Sequence, residues 1–308
     1  MRIANPIYDA VFKYLLDDNK LATLLLSTIL DEEIVELAFK PQEHISKLTS
    51  DTRLFTVYRL DFAATIKKAN GEYKKILIEI QKAKLVTDIM RFRRYLGNQY
   101  RDANNIIINE QGEKVALPLL TIYFLGHSLD YSTAPVIRVQ RKSYDITTGQ
   151  KLDNTESFIE ALTHDSYVIQ IPQLHQPYKT EVEQMLQIFN QNNVVDDKHS
   201  VEINELDVPE RYRPIIRRLQ KAIVEPEIAD AMEAEDDILE ELQNMERQVE
   251  QAEKQAEQAK QEAVQSKQEA EKSKQEAEKA KEEAEKQRVE KERLQALLKQ
   301  AGIQFEDK

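Results

Sequence analysis

The sequence predicts an α/β domain, built as a mixed sheet flanked by helices, followed by a long C-terminal helix or coiled coil. Three observations carry that expectation. Apolar runs with strand and helix periods alternate through residues 1–225. The stretch ILIEIQ (76–81) has a strict period of two, with Ile76, Ile78 and Ile80 on one side and Leu77, Glu79 and Gln81 on the other. Past Glu235 a repeat of seven takes over, and SKQEAEK, SKQEAEK and AKEEAEK (266–286) are near-copies of one another.

Asn5-Pro6 reads as the start of a first helix, with Asn5 as N-cap, Pro6 at the first helical position and Ile7, Val11, Tyr14 and Leu15 on its apolar face. A second helix is expected from about Lys20 to Leu30. YRLDFAATIKK (58–68) and ILIEIQ (76–81) are strands joined by a turn through Asn70 and Gly71. TDIMRFRRYLGNQYRD (87–102) has helical spacing. LPLLTIYFLGH (117–127), APVIRVQRK (134–142) and SYVIQIPQL (166–174) read as strands, the first so continuously apolar that burial on both faces is expected. Two helices follow near residues 179–191 and 210–224. Residues 226–235 read as a linker, 236–301 as the heptad-repeat helix and 302–308 as a tail.

The chain has no cysteine, which excludes disulfides and thiolate zinc sites and fits a reducing compartment. Its N-terminus has no apolar signal core and no apolar run is long enough for a membrane span, so a cytoplasmic protein without a membrane partner is expected. The five histidines are scattered without i,i+4 pairing, and no phosphate loop or GxSxG elbow occurs. A formal net charge of −12 argues against nucleic acid as a partner, but the average hides a local excess. Between Lys67 and Arg101 ten basic residues stand against three acids, a footprint suited to a polyanion.

The hairpin gives the sharpest chemical reading. A two-residue Asn70-Gly71 loop would pair residues whose numbers add to 141 and set Asp61 opposite Ile80. A three-residue loop, Ala69-Asn70-Gly71, with Gly71 in the left-handed position, instead pairs residues adding to 140 and sets Asp61 opposite Glu79. Directly opposed carboxylates about 5 Å apart at Cβ destabilise a sheet. A divalent cation between their oxygens reverses that penalty, and Mg2+ or Mn2+ suits such hard donors. Gln81 shares the face and can orient a water or a phosphate. The competing reading pairs Asp61 with Arg59 or a lysine and leaves Glu79 exposed on an edge strand.

Asp61, a short hairpin and then Glu79-Ile80-Gln81 resemble the PD-(D/E)XK nuclease core in the variant where glutamine replaces the usual lysine. The surrounding words YDAVFKYLL, RLDFAATIKKANGEYKKILIEIQKAK and MRFRRYLGNQY are similar to the Rpn family (recombination-promoting nuclease/putative transposase), over roughly residues 1–225. The resemblance implies a restriction-endonuclease-like core and a divalent-metal-dependent DNA endonuclease linked to recombination, transposition or defence. It implies Asp61, Glu79 and the Ile80 carbonyl as metal ligands, with Gln81 in the place of the lysine that positions the attacking water. Asp9 would be the first-helix acid near the metal, although it can equally pair with Lys13 at i+4. Arg91, Arg94 and Tyr95, spaced three and four apart and continued by Asn98, suit phosphate contacts, with Lys82 a further candidate; the alternative is a charged, solvated helix face.

The tail keeps apolar or small residues at a three–four spacing from Leu242 to Ala284, and Leu294 and Leu298 restore the register. That pattern predicts a homo-oligomer through residues 236–301, against the alternative of a single solvated helix held by Glu–Lys pairs. A catalytically weak nucleic-acid- or protein-binding module, oligomerised by this coil, is the rival to the enzyme.

Overall fold

The three isoleucines of ILIEIQ do lie on one face of a strand, and that face builds the core. In the computed structural model the described residues are 1–50, 53–81, 88–108, 112–152, 157–195 and 198–300. Side chains at 39–62, 81–91, 94, 95, 157, 246, 299 and 300 fall outside the described residues. In chain order the elements are β1 (Arg2–Ala4), α1 (Asp9–Leu16), α2 (Asn19–Leu30), β2 (Ile34–Ser50), β3 (Arg53–Lys68), β4 (Tyr73–Gln81) and α3 (Asp88–Arg101). Then come β5 (Ile106–Ile108), β6 (Lys114–Ala116), β7 (Leu119–Leu125), β8 (Val136–Val139), β9 (Ser143–Tyr144) and β10 (Lys151–Leu152). The chain continues with α4 (Ser157–Leu162), β11 (Asp165–Gln170), α5 (Glu181–Leu186), β12 (Ser200–Glu202), α6 (Arg213–Ala222) and α7 (Pro226–Gln300).

Six strands form a mixed sheet in the order β2-β3-β4-β7-β11-β8. β2, β3 and β4 are an antiparallel meander; β4, β7 and β11 run parallel; β8 closes the far edge antiparallel to β11. The fold is therefore α/β with a six-stranded mixed sheet and a long C-terminal helix. β7 is buried along nearly its whole length, as its continuous apolar run requires when parallel neighbours flank it on both sides.

One face of the sheet carries Ile66, Ile76, Ile78, Ile80, Ile122, Phe124 and Ile169, and the apolar sides of α1, α2, α5 and α6 pack on it as one core. Phe12 stands edge-on to Phe124 at 5.2 Å, and Phe124 meets Phe189 at 4.9 Å. Each such aliphatic or aromatic side chain contributes about 1.5–3 kcal/mol on burial. Local signals place the helix ends: Asp18 caps α2 through the amides of Lys20 and Leu21, and Thr180 with Glu183 forms a capping box at α5.

Three expectations change. The first helix starts at Asp9, because Asn5 is drawn into a turn whose side-chain amide donates to the Lys198 carbonyl and Gln191. The 17-residue β2 follows α2, a strand that the sequence reading did not place. Residues 226–235, read as a linker, are the opening turns of α7, where Ile228 and Met232 are buried in the core. Tyr8 donates to Asp236 at 2.7 Å, the His199 ring meets the same carboxylate at 3.0 Å, and the Asp9 amide donates to Glu235. The chain divides into two compact units, residues 1–241 and 242–308, so the start of the helix belongs to the first. Among the described residues no helix is long and apolar enough to cross a membrane.

Because Met232 is 4 % exposed, Met232→Ala should cost about 2–5 kcal/mol in a urea unfolding titration. Truncation after Glu241 should leave the midpoint of the first unit in place, whereas truncation after Val224 should lower it.

Candidate metal and nucleic-acid site

The β3–β4 turn has the geometry expected of it. The Gly71 amide donates to the Lys68 carbonyl at 2.9 Å, Lys68 donates back to the Glu72 carbonyl at 2.9 Å, and Gly71 sits at φ 86°. That positive φ strains any L side chain, which is why glycine ends the loop. The ladder then runs from Lys67 opposite Tyr73 to Phe62 opposite Ile78, every pair adding to 140. Asp61 and Glu79 are each the next residue along their strands. The side chains of Asp61 and Gln81 lie outside the described residues; by backbone, Asp61 pairs with Gln42 of β2 and Gln81 with Leu125 of β7.

Glu79 is the described acid of the candidate set, and its surroundings overturn the edge-strand alternative. β4 is interior, between β3 and β7, and Glu79 is only 3 % exposed. It shares its face with Leu77 and Lys75, both buried, away from the isoleucine core. Its neighbour in the parallel ladder is Tyr123, whose ring meets Phe92 of α3 at 4.4 Å, so α3 covers this side of the sheet. Burial pushes the Tyr123 phenol well above its ordinary range; a hydrogen bond with Thr121 pulls the other way, and the charge of Glu79 adds to the rise. Thr121 in turn donates to Ser166 of β11 at 2.8 Å.

The site lies near the carboxyl ends of the parallel strands β4, β7 and β11, where open α/β sheets place ligands. Gln170, fully buried at the end of β11, accepts from the Leu129 amide and donates to the Ser132 and Ala134 carbonyls, which folds the β7–β8 connection over that end.

Asp9 is not brought to this face. The apolar side of α1 (Val11, Phe12, Leu15) packs in the isoleucine core, and this places the helix on the opposite face of the sheet from Glu79. Arg91, Arg94 and Tyr95 lie in α3, but their side chains are outside the described residues, as is Lys82 entirely. Around them Phe92 is buried, Arg93 exposed and Gln99 buried.

The basic stretch from Lys67 to Arg101 divides in two. At the turn end, Lys68 pairs with Glu32 at 2.6 Å and with Glu72 at 3.1 Å, Lys74 with Glu72 at 3.4 Å and Lys67 with Glu36 at 3.3 Å. Burial pulls the Lys68 ammonium down, but its two carboxylate partners prevail and hold it above the ordinary lysine value. Lys75 is buried, at 2 % exposure. These four lysines serve the fold, and the strand's rise of about 3.4 Å per residue sets Lys74 some 17 Å from Glu79. Among the described side chains of the stretch, the exposed cations left are Arg93 and Arg101 of α3.

Among the described residues no three His, Asp or Glu side chains converge on one point. Lys75 and Tyr123 were not foreseen as neighbours of the site. Tyr123 stands beside Glu79 only through a parallel register more than 40 residues distant in sequence, and no local signal carries that pairing. No family model, curated protein or solved structure matches the chain.

The raised Tyr123 phenol has a direct test. Folding favours its protonated form, so its contribution to stability is complete below about pH 10 and is lost as pH rises from there toward the folded-state pKa. In an ultraviolet titration of tyrosinate, Tyr123→Phe should remove no absorbance developed below about pH 11.

Proposed function

We propose that the chain is a divalent-metal-dependent DNA endonuclease that hydrolyses phosphodiester bonds, on a PD-(D/E)XK-like core formed by α1, β2–β4, α3 and β7. The observation that carries the reading is the buried Glu79, one step beyond the Phe62–Ile78 pair on an interior strand, where the ladder extended by one pair would meet Asp61. A carboxylate with 3 % exposure is costly to keep charged unless cations or strong donors surround it, and a hard divalent cation is one group that does this.

The donor set fits Mg2+ or Mn2+: Asp61 and Glu79 carboxylates with the Ile80 carbonyl are all hard oxygens. A bound ion would polarise the phosphate and lower the pKa of a coordinated water. Gln81 positions that water through its amide without contributing charge. Arg91 and Arg94 would hold flanking phosphates in any sequence, since phosphate contacts position the duplex and carry no base information. The contact of Phe92 with Tyr123 seats α3 against the strand next to Glu79, which favours a role for the α3 arginines in this reading. The cellular setting that suits this activity is recombination, transposition or defence.

Supercoiled-plasmid nicking in Mg2+ or Mn2+ tests the reading. Asp61→Ala and Glu79→Gln should each reduce nicking by about a hundredfold or more, with Asp61→Ala leaving the unfolding midpoint near wild type because it removes a repulsion. Nicking that is equal in the variants and the wild type would overturn the site. DNA binding with no nicking in any metal would assign the chain to the binding-module class, which the glutamine at 81 favours.

DNA binding itself should be salt-sensitive despite the acidic pI of about 5.1. Arg91→Ala with Arg94→Ala should flatten the slope of log K against log[salt] by about one phosphate contact per residue. An unchanged slope would make that side of α3 a solvated surface.

A further inference from the structure

Residues 247–297 of α7 present their side chains to solvent, and Val249, Leu294 and Leu297 are each more than half exposed. With Leu242 as an a position, a recurs at Val249, Ala256 and every seventh residue to Leu298, and d recurs from Met245 to Leu294. The positions flanking that seam follow a rule. From 260 to 288 every e position is Lys or Arg, and from 262 to 290 every g position is Glu.

We propose that this face takes a second copy of the chain, parallel and in register. In a parallel pair, g of one helix meets e of the next heptad on the other, which sets Glu262 against Lys267, Glu269 against Lys274, Glu276 against Lys281 and Glu283 against Arg288, each twice. In an antiparallel pair g meets g and e meets e, so a row of Glu faces a row of Glu and lysines face lysines. Opposite charges favour the first arrangement and like charges penalise the second.

A lone helix does not explain the pattern as well. The repeat sets Lys four residues before Glu, as in Lys267–Glu271, Lys274–Glu278 and Lys281–Glu285, which is the weaker orientation along one helix. The stronger order occurs at Glu250–Lys254, with 2.7 Å between its charged atoms, and only once within the charge-regular stretch, at Glu282–Lys286. Alanine and serine at most a and d positions bury little area, so Leu242, Met245 and Val249 at one end and Leu294 and Leu298 at the other supply most of the apolar contact. Gln287 and Lys291 interrupt the seam, and polar seam residues fix alignment at a cost in stability. The pairing joins two copies of the 1–241 unit at the same end of one coil. On the endonuclease reading, that supplies two sites for the two strands of one duplex. This last consequence rests on that reading; the pairing does not.

The experiment uses the full chain and reads association, not activity. The triple variants K267E/K274E/K281E and E262K/E269K/E276K should each self-associate at least about tenfold more weakly than wild type by sedimentation, and an equimolar mixture should recover the wild-type dimer. The mixing arm stands even if one variant alone loses helix. Because the chain has no cysteine, Ala252→Cys and Ala284→Cys are single-thiol probes; each should form a disulfide-linked dimer with itself under mild oxidation. Self-association unaltered by either triple variant, no recovery on mixing, or failure of either cysteine variant to link with itself would overturn the proposal.

Discussion

The left-handed backbone at Gly71 determines more of this molecule than any other single position. A three-residue loop closed by a residue at φ 86° sets the β3–β4 ladder, and a slip of one residue would exchange the faces of every side chain on the moving strand. With the register as it stands, Ile76, Ile78 and Ile80 enter the core under α1, α2, α5 and α6, and Lys75, Leu77 and Glu79 turn toward α3. Extended by one pair, the same register would bring Asp61 to the level of Glu79. Core packing and candidate chemistry thus share one backbone constraint. The apolar energy of three buried isoleucines, about 1.5–3 kcal/mol each, holds an acid in a place it would not otherwise occupy.

Charge is sorted along the length of β4. Its turn end is balanced: Lys67, Lys68 and Lys74 meet Glu36, Glu32 and Glu72 within 3.4 Å. The Lys67–Glu36 pair is the most exposed of these and contributes little stability. Lys68 and Lys74 are largely buried, and together the pairs cancel cations that would otherwise form a diffuse basic surface. The other end of the strand keeps a buried carboxylate and leads toward the arginines of α3. A chain with net charge −12 can therefore present a local positive segment without a globally basic surface.

The long helix has two roles on one backbone. Its first turns complete the core through Ile228 and Met232 and are tied by Tyr8, His199 and the Asp9 amide to Asp236 and Glu235. After Val249 the apolar stripe thins to alanine and serine, and from Lys260 the regular e and g charges take over. Residues 226–235, read as a linker, thus belong with Asp236 to the first unit, and the helix changes role only after them.

Much of this was legible in the residues. The period of two in ILIEIQ, the continuous apolar run of β7, the helical spacing of α3 and the heptads of α7 are local patterns, and each reports the environment its side chains must meet. The Asn-Gly turn even carried the register of one strand pair, because loop length and the conformational freedom of glycine are properties of a few adjacent residues. Other features required the tertiary structure. Asn5 is a plausible N-cap by itself, but its amide is claimed by Lys198 and Gln191 nearly 200 residues on. The β2 strand, the burial of Glu79 between β3 and β7, and the neighbourhood of Tyr123 all depend on pairings between distant segments. Residue types and short spacings determined which elements could form and which face of each was apolar. Only the assembled sheet decided which acid is buried, which lysines are neutralised and which helix lies over the site, because burial and ion pairing depend on the whole set of neighbours.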